Sequence, residues 1–269
     1  MSQAEHRNRL ISGWAVIKPG SRILELGCGQ GECTTVLAEA IGPSGIIDAV
    51  DPAPLDYGSP NTLGEAQAEL SNGPLGPRIR WHQASPEEFL EETSKKGQTW
   101  DVAILSHCIW YFKSPDTLEA ILRALKNRTD TVCIAEYALH ATHPAASAHV
   151  LAALARAGLE SYRMNSNENI QNILSPNGIK DTCTSAGWKM EHETVLVPEP
   201  ELQDGFWETN TVASPRFLEK VDSFVPDKRA KVYLRAARDA VLSSVATNGN
   251  IKNTRTMDVW SAVFSPAEK

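Results

Sequence analysis

The sequence predicts an α/β fold with a parallel sheet covered by helices on both faces, and three observations carry the expectation. Apolar runs of strand length alternate with helical stretches from about residue 21 to 137, the pattern of successive β-α-β units. The first run, Arg22-Ile23-Leu24-Glu25-Leu26, leads into Gly27-Cys28-Gly29-Gln30-Gly31, whose glycines permit positive φ and close backbone approach at the start of a helix. The second run delivers Asp51 about 20 residues beyond the turn, where an acid can accept hydrogen bonds from ribose hydroxyls.

Strands are expected over residues 22–26, 46–50, 78–82, 101–106 and 131–137, with helices beginning near Gln30, Thr62, Pro86 and Ser114. Pro86 and Pro115 suit first helical turns, with Ser85 and Ser114 as caps. Beyond 137 the alternation breaks. Residues 144–160 form an alanine-rich helical stretch with apolar Val150, Leu151, Leu154 and Leu159. A helix over 176–186 ends at Gly187, and 188–197 reads as a strand. Residues 198–253 are largely helical, including 228–245 with Val232, Ala236, Ala237, Ala240 and Val241 on one side, and 256–264 reads as a strand with alternating Met257, Val259 and Val263. The expected organisation is a core over 1–137, a helical insertion over 138–172, a core helix and strand over 173–197, a second helical insertion over 198–253, and the last core strand over 254–269. Both insertions start where open α/β sheets bind ligands, and so read as a cap.

Two features of the turn discriminate among ligands. Glu25 puts a carboxylate at the strand exit, where dinucleotide-binding turns need only apolar packing, and Glu32 stands where the third glycine of the dinucleotide fingerprint would fall. On Glu25, Gly27, Gly29, Gly31 and Asp51 the chain resembles the class I S-adenosylmethionine-dependent methyltransferases, whose first motif has the form ExGxGxG and whose second strand ends in an acid. The resemblance implies a seven-stranded Rossmann-like methyltransferase sheet, mostly parallel, with the last two strands antiparallel at one edge. It implies S-adenosyl-L-methionine as cofactor, a glycine loop (Cys28 and Gln30 included) along its methionine and ribose portions, and Asp51 on the ribose diol. Ser85 stands where similar enzymes often carry an acid facing the adenine amino group, which leaves backbone groups of Ala84 and Ser85 to hold the ring; Ser106, at the exit of the fourth strand, completes the expected cofactor set. The small-molecule branch, secondary-metabolite enzymes included, is the part of the family most resembled. Ser106-His107-Cys108-Ile109 stands in place of an Asn-Pro-Pro-Tyr-type amine-methylating signature.

The 269 residues, 42% hydrophobic and 22% charged, suit one globular domain with a sizeable core. A formal net charge of −7 argues against a protein that tracks nucleic-acid phosphates, and the basic residues Lys228, Arg229, Lys231, Arg235 and Arg238 lie at helical spacing, as a solvated face would. No apolar run approaches the length of a membrane span and the stretch to Arg9 is polar, so a cytoplasmic location is expected. The five cysteines include no CxxC pair, which indicates neither a disulfide framework nor a structural zinc site. Glu136, His140 and His143 have E-x3-H-x2-H spacing, but a strand end at Glu136 and a proline at 144 interrupt the helix such a site needs, and no metal is expected. The expected partner is a small-molecule substrate, with no nucleic acid and no membrane, the chain being a monomer or homodimer.

A methyl sulfonium needs alignment and exclusion of water more than activation. An acceptor that carries a proton needs a base. His107, brought to the sheet edge by Val102-Ala103-Ile104-Leu105, is the candidate base. Trp110, Tyr111, Tyr137, His140 and Trp207 are candidate pocket residues for a hydrophobic or aromatic metabolite, since ring faces stack on planar groups and attract cations. Two rival readings stay open at this point: a cofactor-binding regulatory or scaffold protein without transferase activity, and a nicotinamide-dependent oxidoreductase.

Overall fold

The computed structural model describes residues 3–163, 166 and 168–267; residues 1, 2, 164, 165, 167, 268 and 269, which belong to the expected core, first insertion and last-strand spans, lie outside the described residues. The chain runs α1 (Gln3–Ser12), β1 (Arg22–Leu26), α2 (Glu32–Ala40), β2 (Ile46–Asp51), α3 (Leu63–Asn72), β3 (Ile79–Gln83), α4 (Pro86–Lys95), β4 (Trp100–Ser106), α5 (Asp116–Leu125) and β5 (Thr129–Tyr137). It continues through α6 (Ser147–Glu160), α7 (Pro176–Ser185), β6 (Trp188–Leu196), α8 (Asp204–Ala213), α9 (Pro215–Phe224), α10 (Lys228–Thr247) and β7 (Val259–Pro266).

The strands form one seven-stranded sheet in the order β3-β2-β1-β4-β5-β7-β6. The first five are parallel, and β7 lies antiparallel between β5 and β6. Leu26 pairs with both Val50 and Leu105, and Ser106 pairs with Ala135, so β1, β2, β4 and β5 end level with one another. The chain turns away in opposite directions on either side of β1, which makes the β1/β4 boundary the topological switch point where such sheets hold ligands.

Each sheet face buries its own apolar layer. Leu24, Leu26, Phe89, Leu118, Ile121 and Trp188 form one, and Leu10, Trp14, Ile23, Leu37, Ile47 and Ile104 the other. Asp48 is buried in the sheet and compensated there, accepting hydrogen bonds from Gln98 Nε2 (2.9 Å) and Trp100 Nε1 (2.8 Å), with His82 Nε2 3.0 Å away. Helix starts follow their side chains: Thr62 with Glu65, and Ser85 with Glu88, close reciprocal capping boxes on α3 and α4.

The helix α1 was absent from the sequence-based expectation. Ten residues are marginal as an isolated helix. Burial of Leu10, Ile11 and Trp14, worth roughly 1.5–3 kcal/mol per large apolar side chain, holds it against α2, and Trp14 Nε1 donates to Ser261 Oγ of β7 at 2.8 Å.

Helices α6, α8, α9 and α10 share a separate apolar cluster of Ala152, Ala155, Leu159, Val212, Phe217, Val221, Leu234 and Val241. The faces expected for two of them are corrected. On α6 the buried positions include Ala148, Ala152, Ala153 and Ala155 while Leu154 is exposed, and on α10 the buried residues are Leu234 and Val241 while Val232 is exposed. Alanines let α6 and α10 approach closely: a Cβ on Gly158 would stand 3.1 Å from Leu234. Residues 144–146 form a 3-10 turn rather than the first turn of α6, and the last strand starts at Val259, three residues later than expected.

Candidate functional site

The glycine loop leaves β1 at the switch point and is tied to β2, with Gly27 N and Cys28 N both donating to Val50 O (2.8 and 3.2 Å). Gly27 and Gly29 serve different ends. A Cβ on Gly27, at φ +79°, would stand 2.4 Å from Cys108 Cβ, so this glycine is required for packing. Gly29, at φ +52°, faces open space with no heavy atom within 4 Å of a Cβ position, a place where a ligand can lie against bare backbone. Asp51 closes the loop from β2: its Oδ2 accepts from Gly29 N (2.8 Å) and its Oδ1 from Ala53 N (2.9 Å). Gln67 Nε2 holds Gly29 O (3.0 Å) and Gln30 Nε2 holds Asn61 O (2.6 Å). Gly31 caps α2 in the left-handed region and supplies no side-chain acceptor, which leaves the helix start as a donor surface.

Glu25 is buried beneath this loop. Its Oε2 accepts from Thr34 Oγ1 at 2.6 Å, and its Oε1 has no hydrogen-bond partner. Burial raises its pKa from 4.5 to about 7, opposed by hydrogen bonds from Thr34 and Cys33 and by the charge of Arg7. An orphaned carboxylate oxygen beside an open glycine is a socket for a cationic or hydrogen-bond-donating group. Cys28, Cys33 and Cys108 surround the loop as buried thiols whose pKa values are pushed well above the usual range by burial, which makes them packing groups rather than nucleophiles.

His107 follows Ser106 at the end of β4, at φ +53°. Its side chain is 7% exposed, both ring nitrogens lack hydrogen-bond partners, and Nδ1 stands 3.7 Å from Glu136 Oε1. Burial first, then the charge of Arg7, drives its pKa well below 6.5, with Asp204 opposing; the ring is neutral at neutral pH. Glu136 accepts from the backbone N–H groups of Ile109 (3.1 Å), Trp110 (3.4 Å) and Tyr137 (3.0 Å), and burial raises its pKa to about 7. Rings continue on both sides: Tyr137 lies 4.7 Å from His107 by centroid, and His6 of α1 lies 6.0 Å away.

Three of these residues escaped sequence reading. His6 and Arg7 sit in a short polar segment, and only the apolar pair Leu10-Ile11 followed by Trp14 could have marked it as a helix packed on the core. Glu136 enters the sequence reading solely as a candidate metal ligand. Its acidic side chain in an apolar strand end, Cys133-Ile134-Ala135-Glu136, was the signal that it answers to something buried.

The remaining candidates are dispersed. Ala84 N donates to Asp51 O (3.2 Å), and the Ser85 hydroxyl is occupied by Glu88, accepting from its N–H at 3.2 Å and donating to its carboxylate at 2.8 Å. Ser106 Oγ lies 3.5 Å from Arg7 Nη1. Trp110 is 2% exposed, packs with Ala146, Ala153, Ile170 and Met257, and donates Nε1 to Leu174 O at 3.0 Å, so its ring is part of the core although its edge meets Tyr137. Tyr111 and Trp207 are exposed. His140 turns outward, its Nδ1 held 2.7 Å from buried Asp258. Among the described residues no helix is long and apolar enough to cross a membrane.

An adenosyl cofactor fits the residues present: open backbone at Gly29, an acid at the end of β2, and an unpartnered carboxylate oxygen on Glu25. Comparison with known proteins agrees. The model of a methyltransferase domain family matches residues 4–193. The methyltransferase phomM of Diaporthe leptostromiformis is 29% identical, over 89% of this chain and 72% of its own. The crystal structure of a cyclopropane-fatty-acyl-phospholipid synthase-like protein from Lactobacillus casei superposes with a TM-score of 0.83 at 27% identity, covering 98% of this chain and 90% of that one. Coclaurine N-methyltransferase, crystallised with N-methylheliamine and S-adenosylhomocysteine, shares the fold at 16% identity, with a TM-score of 0.52 over 97% of this chain and 72% of its own. The chain therefore belongs to the methyltransferase domain family and is a class I S-adenosylmethionine-dependent methyltransferase.

Proposed function

We propose that this enzyme methylates a small hydrophobic or aromatic metabolite, with His107 as the general base and the helical insertions as a cap over the acceptor. The observation that carries the reading is the neutral His107 ring beside the glycine loop, with two unpartnered nitrogens and a carboxylate 3.7 Å from one of them. The cofactor, when bound, supplies an electrophilic methyl group. Glu25, the backbone at Gly29 and Asp51 hold it, Asp51 serving the ribose diol, Gln30 flanking the loop, and the backbone at Ala84 and Ser85 bordering the adenine.

The rest of the chemistry belongs to the chain's own side chains. Nε2 of His107 takes the proton that the acceptor gives up, and Glu136 offsets the charge left on the imidazolium. Burial of the pair excludes water from the transfer. Tyr111 and Tyr137 supply ring surface near this base, Tyr137 by its tilted ring contact with His107. Trp207 and α8 close the outer side.

Incubation of the purified protein with methyl-labelled cofactor and a metabolite extract tests the proposal, with His107→Ala as control. Label is expected in a small organic-soluble product and is expected to drop sharply in the variant. Label confined to protein or nucleic acid, or a variant as fast as the wild type, would overturn it.

A further inference from the structure

We propose that the outward side of α10 is where two copies of this chain pair, the two helices running antiparallel across a two-fold axis beside Leu234, with Arg229 of each copy against Asp239 of the other. Nothing in this pairing depends on the methyl acceptor or its base.

Among the described helices α10 is the longest, at 20 residues, yet only Leu234 and Val241 are buried along it. Ala230 and Ala237, partly buried, complete the narrow stripe that packs on the rest of the insertion. The opposite side carries Arg229, Val232, Ala236, Asp239 and Ser243, all exposed and spaced alternately three and four residues apart. That spacing keeps one seam turned toward a second helix over several turns. Val232 is 68% exposed and Tyr233, on the flank nearest α6, is 60% exposed, so the outward side holds large apolar groups in water. Tyr233 lies 3.6 Å from the Cβ position of Gly158, and Leu154 and Tyr162, one turn to either side of that glycine, extend the exposed apolar surface across α6.

The charges choose the partner. Asp239 is the only acid in α10, against five basic residues, and among the described residues neither its side chain nor that of Arg229 has an ion pair or hydrogen bond. Lys231 and Arg235, by contrast, are occupied by Asp222, at 3.9 and 2.7 Å. Arg229 and Asp239 lie at equal distances in sequence on either side of Leu234. Reversing a second copy of the helix about that point therefore sets each Arg229 opposite the partner's Asp239, and each Val232 opposite the partner's Ala236. A parallel copy in register would oppose like charges instead. An acidic partner would satisfy Arg229 but repel Asp239, and a basic partner the reverse; the same face reversed satisfies both. A helix of this length spans about 30 Å and is about 10 Å across, so α10 alone buries roughly 600 Å² in the pair, short of the about 1,200 Å² of a standard interface. Tyr233, Leu154 and Tyr162 widen that contact, and the dimer is a weak one, populated at high protein concentration.

Analytical ultracentrifugation of the full chain from about 1 to about 500 µM tests the pairing, and wild type is expected to pass from monomer to dimer over that range. Arg229→Asp and Asp239→Arg each turn two attractions per dimer into two like-charge contacts, so each alone should weaken self-association about tenfold or more at low salt. An equimolar mixture of the two variants brings an acidic face to a basic one and should dimerise at least as tightly as wild type. Val232→Glu should abolish the dimer. Thermal midpoints should stay at the wild-type value in every variant, since each altered side chain is exposed. Wild type that remains monomeric at the highest concentration, single variants that associate like wild type, or a mixture no tighter than either variant alone would each overturn the proposal. So would monomeric wild type that binds phosphatidylserine vesicles and loses them in Arg229→Asp, an outcome that assigns the face to an anionic surface.

Discussion

Replacing Glu25 by glutamine isolates the cost of a buried carboxylate. In the folded protein the pKa of Glu25 is about 7 against 4.5 for an unburied glutamate, with desolvation as the leading cause. Between those two values the folded state holds the proton more tightly than the unfolded state does. Its stabilising contribution is therefore complete below pH 4.5 and is lost as pH rises through about 7. Each pKa unit corresponds to about 1.4 kcal/mol, so the loss amounts to about 1 kcal/mol at pH 5 and about 3 kcal/mol at pH 8. Glutamine keeps an oxygen for Thr34 Oγ1, which donates to Glu25 at 2.6 Å, and it cannot ionise. Glu25→Gln should therefore be more stable than wild type by about 1 kcal/mol at pH 5 and by about 3 kcal/mol at pH 8. Urea denaturation of the cofactor-free protein at the two pH values measures this directly. Glu136 titrates in the same range but is present in both proteins and cancels. A stability difference that does not move with pH would refute the claim that burial, rather than local hydrogen bonding, governs this carboxylate.

Other expectations separate packing from binding within the loop. Gly27→Ala should cost about 3 kcal/mol of stability, combining left-handed strain with the collision against Cys108, whereas Gly29→Ala should cost about 1 kcal/mol and act mainly on cofactor affinity; thermal denaturation alongside calorimetry distinguishes them. Asp51→Ala should weaken S-adenosylhomocysteine binding by about 1.5–3 kcal/mol, and an unchanged dissociation constant would dismiss the ribose role. His107→Ala should slow methyl transfer by about 10²–10⁴-fold with cofactor affinity within twofold. Because burial and Arg7 hold the His107 pKa well below 6.5, a step near pH 7 in the wild-type rate at saturating cofactor should come from Glu136 and disappear in Glu136→Gln; a step that survives that substitution would point to a different base.

The parts of the molecule that announce themselves in sequence are those where one stretch satisfies several local rules at once. From Arg22 to Gly31, strand burial, glycine turn and helix start reinforce one another, and β1 falls over the expected residues. The capping residue Ser85 was equally plain, since its partner Glu88 lies three residues on. The helical insertions were harder to read because their contacts are made between distant segments through alanines: α6 buries Ala152 and Ala155 and leaves Leu154 in solvent, an inversion that hydropathy alone does not forecast. Arg7 and Glu136 were opaque for a related reason. A charged side chain becomes legible only with its counterpart, and Glu25 and Ser106 for Arg7, and the N–H groups of Ile109 and Trp110 for Glu136, lie far away in sequence.

The position of β7 between β5 and β6 also sets an order of events during synthesis. β6 precedes β7 in the chain by roughly 60 residues, yet among the described residues its only strand partner is β7. At about 5–20 residues per second on the ribosome, β6 waits several seconds as an unpaired edge. Lys189, Glu191, His192 and Glu193, all exposed on that strand, are the kind of polar residues that keep a nascent edge from joining a neighbouring polypeptide.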